Sequence, residues 1–378
     1  MPLLERSVPV TERVRVYHTV RTAHLERTLE LAPADLVYGT RRYDFDADVA
    51  AAAARRSRIE QAGDVRTAWL MARRGYRTVE INEPIAIETV RRTTLTLLAV
   101  RAGDLVRRRR TAVVTYAIGN VPIDQLPVPG GKARLGRRLD RWLAPRVWRR
   151  CDRVAFGTEA AVEAYAASFG PAHRDAVTTL IPALPTRCGC GNLSPSDGHT
   201  AIRTQILFLG DLSTRKGFDL VVEAWSVLRG DVPSARLVIV GRGAMADTAR
   251  SLARTDERVQ FVEDPPRPAV HKHLRDASVV VLPSRPHRGW REQVGLPLVE
   301  GLAHGCTVVT THETGIAGWL RAHGHQTLPT AEAERGGLAQ ALTRAVREPL
   351  SPELVIRSLP EHDGRLAADG WMFAPSSP

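Results

Sequence analysis

The sequence predicts an α/β protein of two Rossmann-like domains, each a parallel sheet with helices on both faces. Three observations point there. The chain has 378 residues, more than one ordinary core accommodates. Its second half alternates short apolar β-rich runs with helical patterns, and runs without polar alternation are strands buried on both faces. Between the halves lies PTRCGCGNLSPSDGHT, whose Gly, Ser, Pro and Thr content is that of a linker.

In the first half, VYHTVRT, LVYGTRR, RTVEIN, TAVVTYAIG and RVAFGTE read as strands, with DVRTAWLMARRG and PIAIETVRRTTLTLLAVRAG as helices between them. After Arg203 the pattern is sharper. TQILFLG, ARLVIVG, RVQFVE, ASVVVLPS and CTVVTT are strands, while KGFDLVVEAWSVLRG, AMADTARSLART and AVHKHLRDA carry apolar residues at helical spacing. Strands separated by helices pair in parallel, and ligands bind beyond the carboxyl ends of strands in such sheets. Binding residues are therefore expected in the loops after FLG, IVG, FVE and LPS, facing a cleft between the domains. The linker places the boundary at residue 190, giving domains of 1–190 and 191–358 and a tail of 359–378.

Apolar residues are 43% and charged residues 25%, an ordinary globular composition. No run approaches the roughly 18 uncharged apolar residues of a membrane span. The start, MPLLERSVPVTERVRV, carries glutamates where a signal peptide is apolar, so a cytoplasmic protein is expected. The net charge of +12 points to nucleic acid, an anionic membrane surface or a phosphorylated substrate. Lysine occurs only at Lys132, Lys216 and Lys272, so part of the basicity is the arginine bias of a high-GC coding sequence. With no C2H2 spacing, RNP-like strand or basic zipper, no nucleic-acid partner is expected. Cys151, Cys188, Cys190 and Cys306 are expected as reduced thiols. Cys188 and Cys190 can begin a metal site, but no second pair follows at zinc spacing, so no metal is expected.

The stretch REQVGLPLVEGLAHGCTVVTTHETG, Arg291 to Gly315, concentrates the candidate chemistry. Pro297 suits the first turn of a helix, and Gly305 suits its end. Backbone N–H groups from Gly295 to Leu298 then offer donors to an anion, aided by the helix dipole. Glu292 precedes the helix, and Glu300, one turn in, directs its side chain back toward the N-terminus. Two carboxylates flanking backbone donors suit a ligand with both hydroxyls and phosphate.

With the preceding LPS, these residues resemble the E-x7-E region of the GT4-type retaining glycosyltransferases (glycosyltransferase family 4) of GT-B fold. The resemblance runs from Ile206 to Val346: ILFLGDLSTRKGFDLVVEAW is similar to the first strand, loop and helix of the family's nucleotide domain, and LVIVGRGA to its next strand and turn. It implies a hexosyltransferase-like enzyme moving a sugar from a nucleotide-diphosphate donor to an acceptor hydroxyl, without metal or other cofactor. Glu292 would contact the donor sugar and Glu300 the ribose hydroxyls. Gly295 and Leu296 would face the sugar and diphosphate, Gly210 would precede the phosphate loop, and Lys216 would neutralise the leaving diphosphate. The loop after FVE, with Val262 and Glu263, would meet the nucleobase. The tail PEHDGRLAADGWMF corresponds in position to the terminal helix that crosses back to the first domain.

Two departures stand out. Asp211 occupies the place where the family carries arginine, leaving Arg215 as the residue to supply that charge. The family also often has a histidine on a first-domain loop near the sugar, whereas VVTYAIGN offers Tyr116 and Asn120; His18 and His24 are other candidates. A catalytically degenerate GT-B scaffold, and an epimerase or phosphorylase on this fold, remain alternatives. Gly241 and Gly243 read as a tight turn, and His287, His304 and His312 as surface or capping residues. Arg107 to Arg110 read as a solvated helix end. From Lys132 to Arg153, Leu135, Leu139, Trp142, Leu143 and Val147 share a stripe among arginines, with Pro145 a candidate helix breaker. Such a helix either packs in its domain or lies on an anionic membrane, which fits an anionic or lipid-linked acceptor at the inner membrane face.

Overall fold

A computed structural model describes residues 11–42, 45–128, 130–131, 133–172, 176–190 and 204–375. The described chain divides into two units. The first takes residues up to Gly157, Ala161–Ile181 and those from Arg365 on; the second takes Thr158–Ala160 and Pro182–Gly364. The changeovers thus fall at 181/182 and 364/365 instead of the expected 190 and 358. The reason is local: Leu184 is buried in the second unit's core, and the Cys188 N–H donates to Ala303 O at 2.9 Å. Residues 191–200 of the expected linker, and Lys132 and Arg203, lie outside the described residues.

The first unit holds β1 (Arg13–Val20), β2 (Asp35–Arg41), β3 (Ile59–Gln61), β4 (Thr78–Glu80), β5 (Ala112–Ala117), β6 (Arg153–Phe156) and β7 (Val177–Leu180). They form a parallel sheet in the order β3-β2-β1-β4-β5-β6-β7. The second unit holds β8 (Gln205–Leu209), β9 (Arg236–Val240), β10 (Val259–Val262), β11 (Val279–Leu282), β12 (Thr307–Thr311) and β13 (Gln326–Leu328). These run parallel in the order β10-β9-β8-β11-β12-β13. Every strand named from sequence is present. β3, β7 and β13, which the pattern missed, are edge strands of three or four residues. Val279–Leu282 is buried at every position, as a central parallel strand between helical layers requires.

From Arg365 on, the helix Gly364–Met372 belongs to the first unit. Ala368, Met372 and Phe373 pack against Val114 and Ala155 of β5 and β6. Asp369 accepts from Arg15 at 2.8 Å, Arg15 also faces Glu80 at 3.3 Å, and Arg365 reaches Glu80 at 2.5 Å. Burying these charges is tolerable only because each meets an opposite one.

Helix Ala133–Trp148 continues through Pro145. Its expected stripe is split: Val147 and Trp148 are buried, with Trp148 stacked on Phe169, whereas Leu135, Leu139 and Trp142 are 73%, 46% and 55% exposed. The Arg107–Arg110 run is bound more tightly than a solvated end. Arg107 donates to Ala72 O and Arg73 O, Arg109 to Tyr76 O, and Arg110 pairs with Asp152. Among the described residues, no helix is long and apolar enough to cross a membrane.

Candidate active site

In the second unit the strand order reverses between β8 and β11, and the loops leaving these two strands meet. Gly210 follows β8 and Gly241 follows β9. A Cβ on Gly241 would lie 1.9 Å from Gly210 O, so this glycine permits the two loops to touch, beyond serving a tight turn. The β8 loop continues into a single 3-10 turn, Thr214–Lys216. From it Lys216 forms an ion pair with Glu292, whose Oε2 also accepts from Ser284 Oγ at 2.9 Å. Glu292 is buried, so this carboxylate is held between an ammonium and a hydroxyl at the end of β11.

Trp290 lies under both basic residues, with the Arg215 guanidinium 4.1 Å and the Lys216 ammonium 5.2 Å from its ring centre. Arg215 also faces Asp211 at 3.6 Å, so the departing carboxylate and its candidate replacement are neighbours. Sequence reasoning missed Arg285. Its side chain donates to Thr214 O at 3.0 Å and pairs with Asp219 and Glu334, while its backbone N–H donates to Arg215 O at 2.9 Å. Arg285 thereby ties the Lys216 turn to the end of β11. Its signal was only a basic residue after LPS, which has no distinctive spacing.

The helix over Leu296–Ala303 starts at Gly295, whose φ of 80° is left-handed, with Pro297 in the first turn. A Cβ on Gly210 would stand 3.8 Å from Pro297 Cγ, which puts the β8 loop beside this helix start. Leu298 N–H is committed to Gly295 O at 2.8 Å, narrower than the Gly295–Leu298 donor patch expected. Leu296 is exposed, and Glu300 pairs with Arg267 at 2.6 Å. Val262 ends β10, and Glu263, the next residue, pairs with Arg250 at 2.9 Å. Thus Gly210, Arg215, Lys216, Glu292, Gly295 and Leu296 come together, while Glu300 and Glu263 each hold an arginine.

The first-unit candidates are more dispersed. Tyr116 lies in β5 beneath the Arg365 guanidinium at 4.8 Å, Asn120 is buried in the loop after β5, and the His18 backbone N–H in β1 donates to Asn82 Oδ1 at 2.7 Å. His24 lies against Tyr17, with ring centres 4.7 Å apart and planes tilted by 42°. Between β1 and β5 stands β4, and just past it Glu83 accepts from the N–H groups of Ile118 and Gly119 at 2.8 and 2.7 Å. Burial pushes the Glu83 carboxyl up to about 7, against the opposing pull of these backbone donors. Sequence reasoning missed it because a glutamate after a strand carries no motif.

His304 caps the Leu296–Ala303 helix, as a capping reading allows, but its ring is buried. Its Nε2 lies 3.2 Å from Cys190 Sγ and 3.2 Å from His271 Nδ1, which is itself 3.5 Å from Cys188 Sγ. His287 and Trp290 form a small antiparallel bridge, and the His312 N–H donates to Leu328 O.

A GT-B architecture of two Rossmann-like units, with a loop site at the switch point of the second, is the frame in which known proteins match this chain. Residues 203–348 match the family glycosyl transferases group 1. An uncharacterized glycosyltransferase of Haemophilus influenzae is 27% identical over 59% of this chain and 58% of its own length. A GDP-mannose-dependent alpha-(1-6)-phosphatidylinositol monomannoside mannosyltransferase of Mycolicibacterium smegmatis is 27% identical over 43% of this chain and 44% of its own. The chain thus spans only about half the length of these curated relatives. Across whole structures, Anabaena HepE in complex with UDP superposes with a TM-score of 0.63 at 13% identity, covering 96% of this chain and 95% of that one. The lipopolysaccharide outer core galactosyltransferase WaaB gives 0.64 at 12% identity, covering 95% and 97%.

Proposed function

We propose that this protein is a GT4-type retaining glycosyltransferase that moves a sugar from a nucleotide-diphosphate donor to an acceptor hydroxyl. The observation that carries the proposal is the Lys216–Glu292 pair, set at the ends of β8 and β11 beside the start of the Leu296–Ala303 helix, within the group 1 segment. As the anomeric carbon–phosphate oxygen bond breaks, negative charge grows on the departing diphosphate. Lys216, Arg215 and the N–H groups of Gly295 and Leu296 are fixed positive poles for that charge. The acceptor oxygen bonds to the anomeric carbon on the same face, and its proton passes to the leaving phosphate oxygen, so no protein base or catalytic metal is needed. Glu292 gives up part of its hold on Lys216 and turns to the sugar hydroxyls, while Glu300 exchanges Arg267 for the ribose. Arg215, stacked on Trp290, supplies the charge that Asp211 does not.

UDP-sugar donors are the first choice to test, because HepE is described with UDP; the GDP-mannose-dependent relative puts GDP-sugars second. The deciding experiment incubates the chain with UDP-, GDP-, ADP- and dTDP-sugars and measures free nucleotide. Release from one donor, lost in Lys216→Ala, supports the reading. No release from any donor, with an acceptor mixture present, leaves a degenerate GT-B scaffold instead.

A lipid-linked acceptor is favoured by the first unit. An open groove of about 1240 Å³ is lined by Arg101, Arg108, Arg146 and Arg149 together with Leu98 and Leu105. Leu98 and Leu105 are exposed, as are Leu135, Leu139 and Trp142 on the neighbouring helix. Arginines at roughly 1 kcal/mol each near an anionic leaflet give reversible attachment without a span. Flotation with phosphatidylserine vesicles at low and physiological salt checks this, and absence of binding at both points to a soluble acceptor.

A further inference from the structure

We propose that Cys188, Cys190, His271 and His304 form a structural site for one Zn2+ ion on the second unit, separate from the donor loops. The four ligand atoms lie within 4.8 Å of one another. In a tetrahedron with Zn–S of about 2.3 Å and Zn–N of about 2.05 Å, the edges are about 3.6 Å for S···N and about 3.3 Å for N···N. Three of the six edges are 3.5 and 3.2 Å for Cys188–His271 and Cys190–His304, and 3.2 Å for His271–His304. These three edges stand within a few tenths of an ångström of a coordination shell, and the other three are no longer than 4.8 Å.

Donor chemistry points the same way. His304 Nδ1 lies 2.7 Å from Glu300 O, so Nδ1 carries the proton and donates it, and Nε2 turns its lone pair toward Cys190. That is the outer hydrogen bond by which a zinc-bound imidazole is oriented. Arg275 Nη1 lies 3.3 Å from Cys190 Sγ, a donor suited to a thiolate. Two thiolates and two neutral imidazoles cancel the charge of a divalent ion, and the soft S2N2 set selects zinc over magnesium or calcium. Four protein ligands leave no open position, which marks a structural site rather than a catalytic one.

The ligands come from three places: the strand-free segment after β7, the helix Arg267–Asp276 and the end of the helix Leu296–Ala303. The ion would therefore clamp the entry of the second unit to the far end of the helix whose start presents Gly295 and Leu296.

The test uses the untagged full chain purified under reducing conditions. Elemental analysis is expected to find about one zinc per chain, and Co2+ exchanged into the site is expected to give the intense visible bands of tetrahedral cobalt with a thiolate charge-transfer band. Alkylation of Cys188 and Cys190 in the unaltered chain should be slow until a strong chelator is added. Removal of both thiolates in the Cys188→Ser/Cys190→Ser chain should lower zinc affinity by more than the roughly 10–100-fold that follows removal of an outer partner. The proposal is overturned by a folded, reduced chain that takes up neither zinc nor cobalt. It is equally overturned by a Cys188–Cys190 disulfide in the purified chain, or by undiminished metal in the double variant. If that variant does not fold, chelator-dependent alkylation of the unaltered chain decides alone: rapid labelling without chelator rejects the site.

Discussion

The two units share a parallel-sheet plan but handle charge in opposite ways. In the first, Arg15, Glu80, Arg365 and Asp369 neutralise one another inside the packing between sheet and terminal helix. In the second, Lys216 pairs with Glu292 and Arg215 with Asp211 where the loops leave β8 and β11, and Arg267 pairs with Glu300 between two helices. Buried pairs are expensive to separate, whereas the more exposed Arg215–Asp211 and Arg267–Glu300 pairs can exchange partners with an incoming polar ligand; Lys216–Glu292 is itself buried but stands at a loop site. The same ion-pair chemistry thus locks a fold in one place and keeps a binding site organised in the other.

Breaking the locked network should have the largest effect. Arg15→Met leaves Asp369 short of a buried partner and is expected to cost about 3–5 kcal/mol in stability, read by denaturant unfolding. A loss under 1 kcal/mol would show that this network is not the fastener described. Next, Lys216→Ala should lower kcat by about 100- to 1000-fold, a loss of the size seen when one donor to a developing oxyanion is removed. An unchanged turnover number would take Lys216 out of the mechanism.

Glu83 sharpens the contrast, being a carboxyl just past β4 whose ionisation is held back by burial. Its folded pKa is raised from 4.5 to about 7, so the native state binds the extra proton and loses stability as pH rises through that window. The full shift corresponds to about 3 kcal/mol, an upper bound because part of the residue touches solvent. Glu83→Gln keeps an acceptor for Ile118 and Gly119, so its stability relative to the parent should improve between pH 5 and 8, by about 1–3 kcal/mol, in parallel unfolding curves. A pH-independent difference would refute the shifted carboxyl. The smallest effect is expected from Arg267→Ala. Its guanidinium is 63% exposed, so freeing Glu300 should cost no more than about 1 kcal/mol of stability. Donor KM should not rise, since Glu300 is then unoccupied for the ribose.

Most of the fold was legible because central parallel strands such as ILFL and VVVL have few polar residues to blur them. β3, β7 and β13 were not, since an edge strand of three or four residues such as Ile59–Gln61 lacks room for a periodic signal. At the site, Lys216 and Glu292 were readable from motif order, and the fold brings them into contact. Arg285 and Glu83 act through the loops they tie down, and contacts made across 66 or 36 positions leave no local pattern. The Cys188–Cys190 pair was visible, but its partners His271 and His304 follow 83 and 114 positions later on separate elements, outside any zinc-motif spacing.

The return of the terminal helix also bears on how the protein is made. Arg15 leaves the ribosome early, yet its partner Asp369 is synthesised 354 residues later. The second unit can therefore complete its core while the first still lacks Arg365 and Asp369, half of its buried ion network, and has an uncovered apolar face at Val114 and Ala155. During that interval the nascent first unit is a target for chaperones and proteases, and translation that stops before residue 369 should yield a chain whose earlier half is the less durable one.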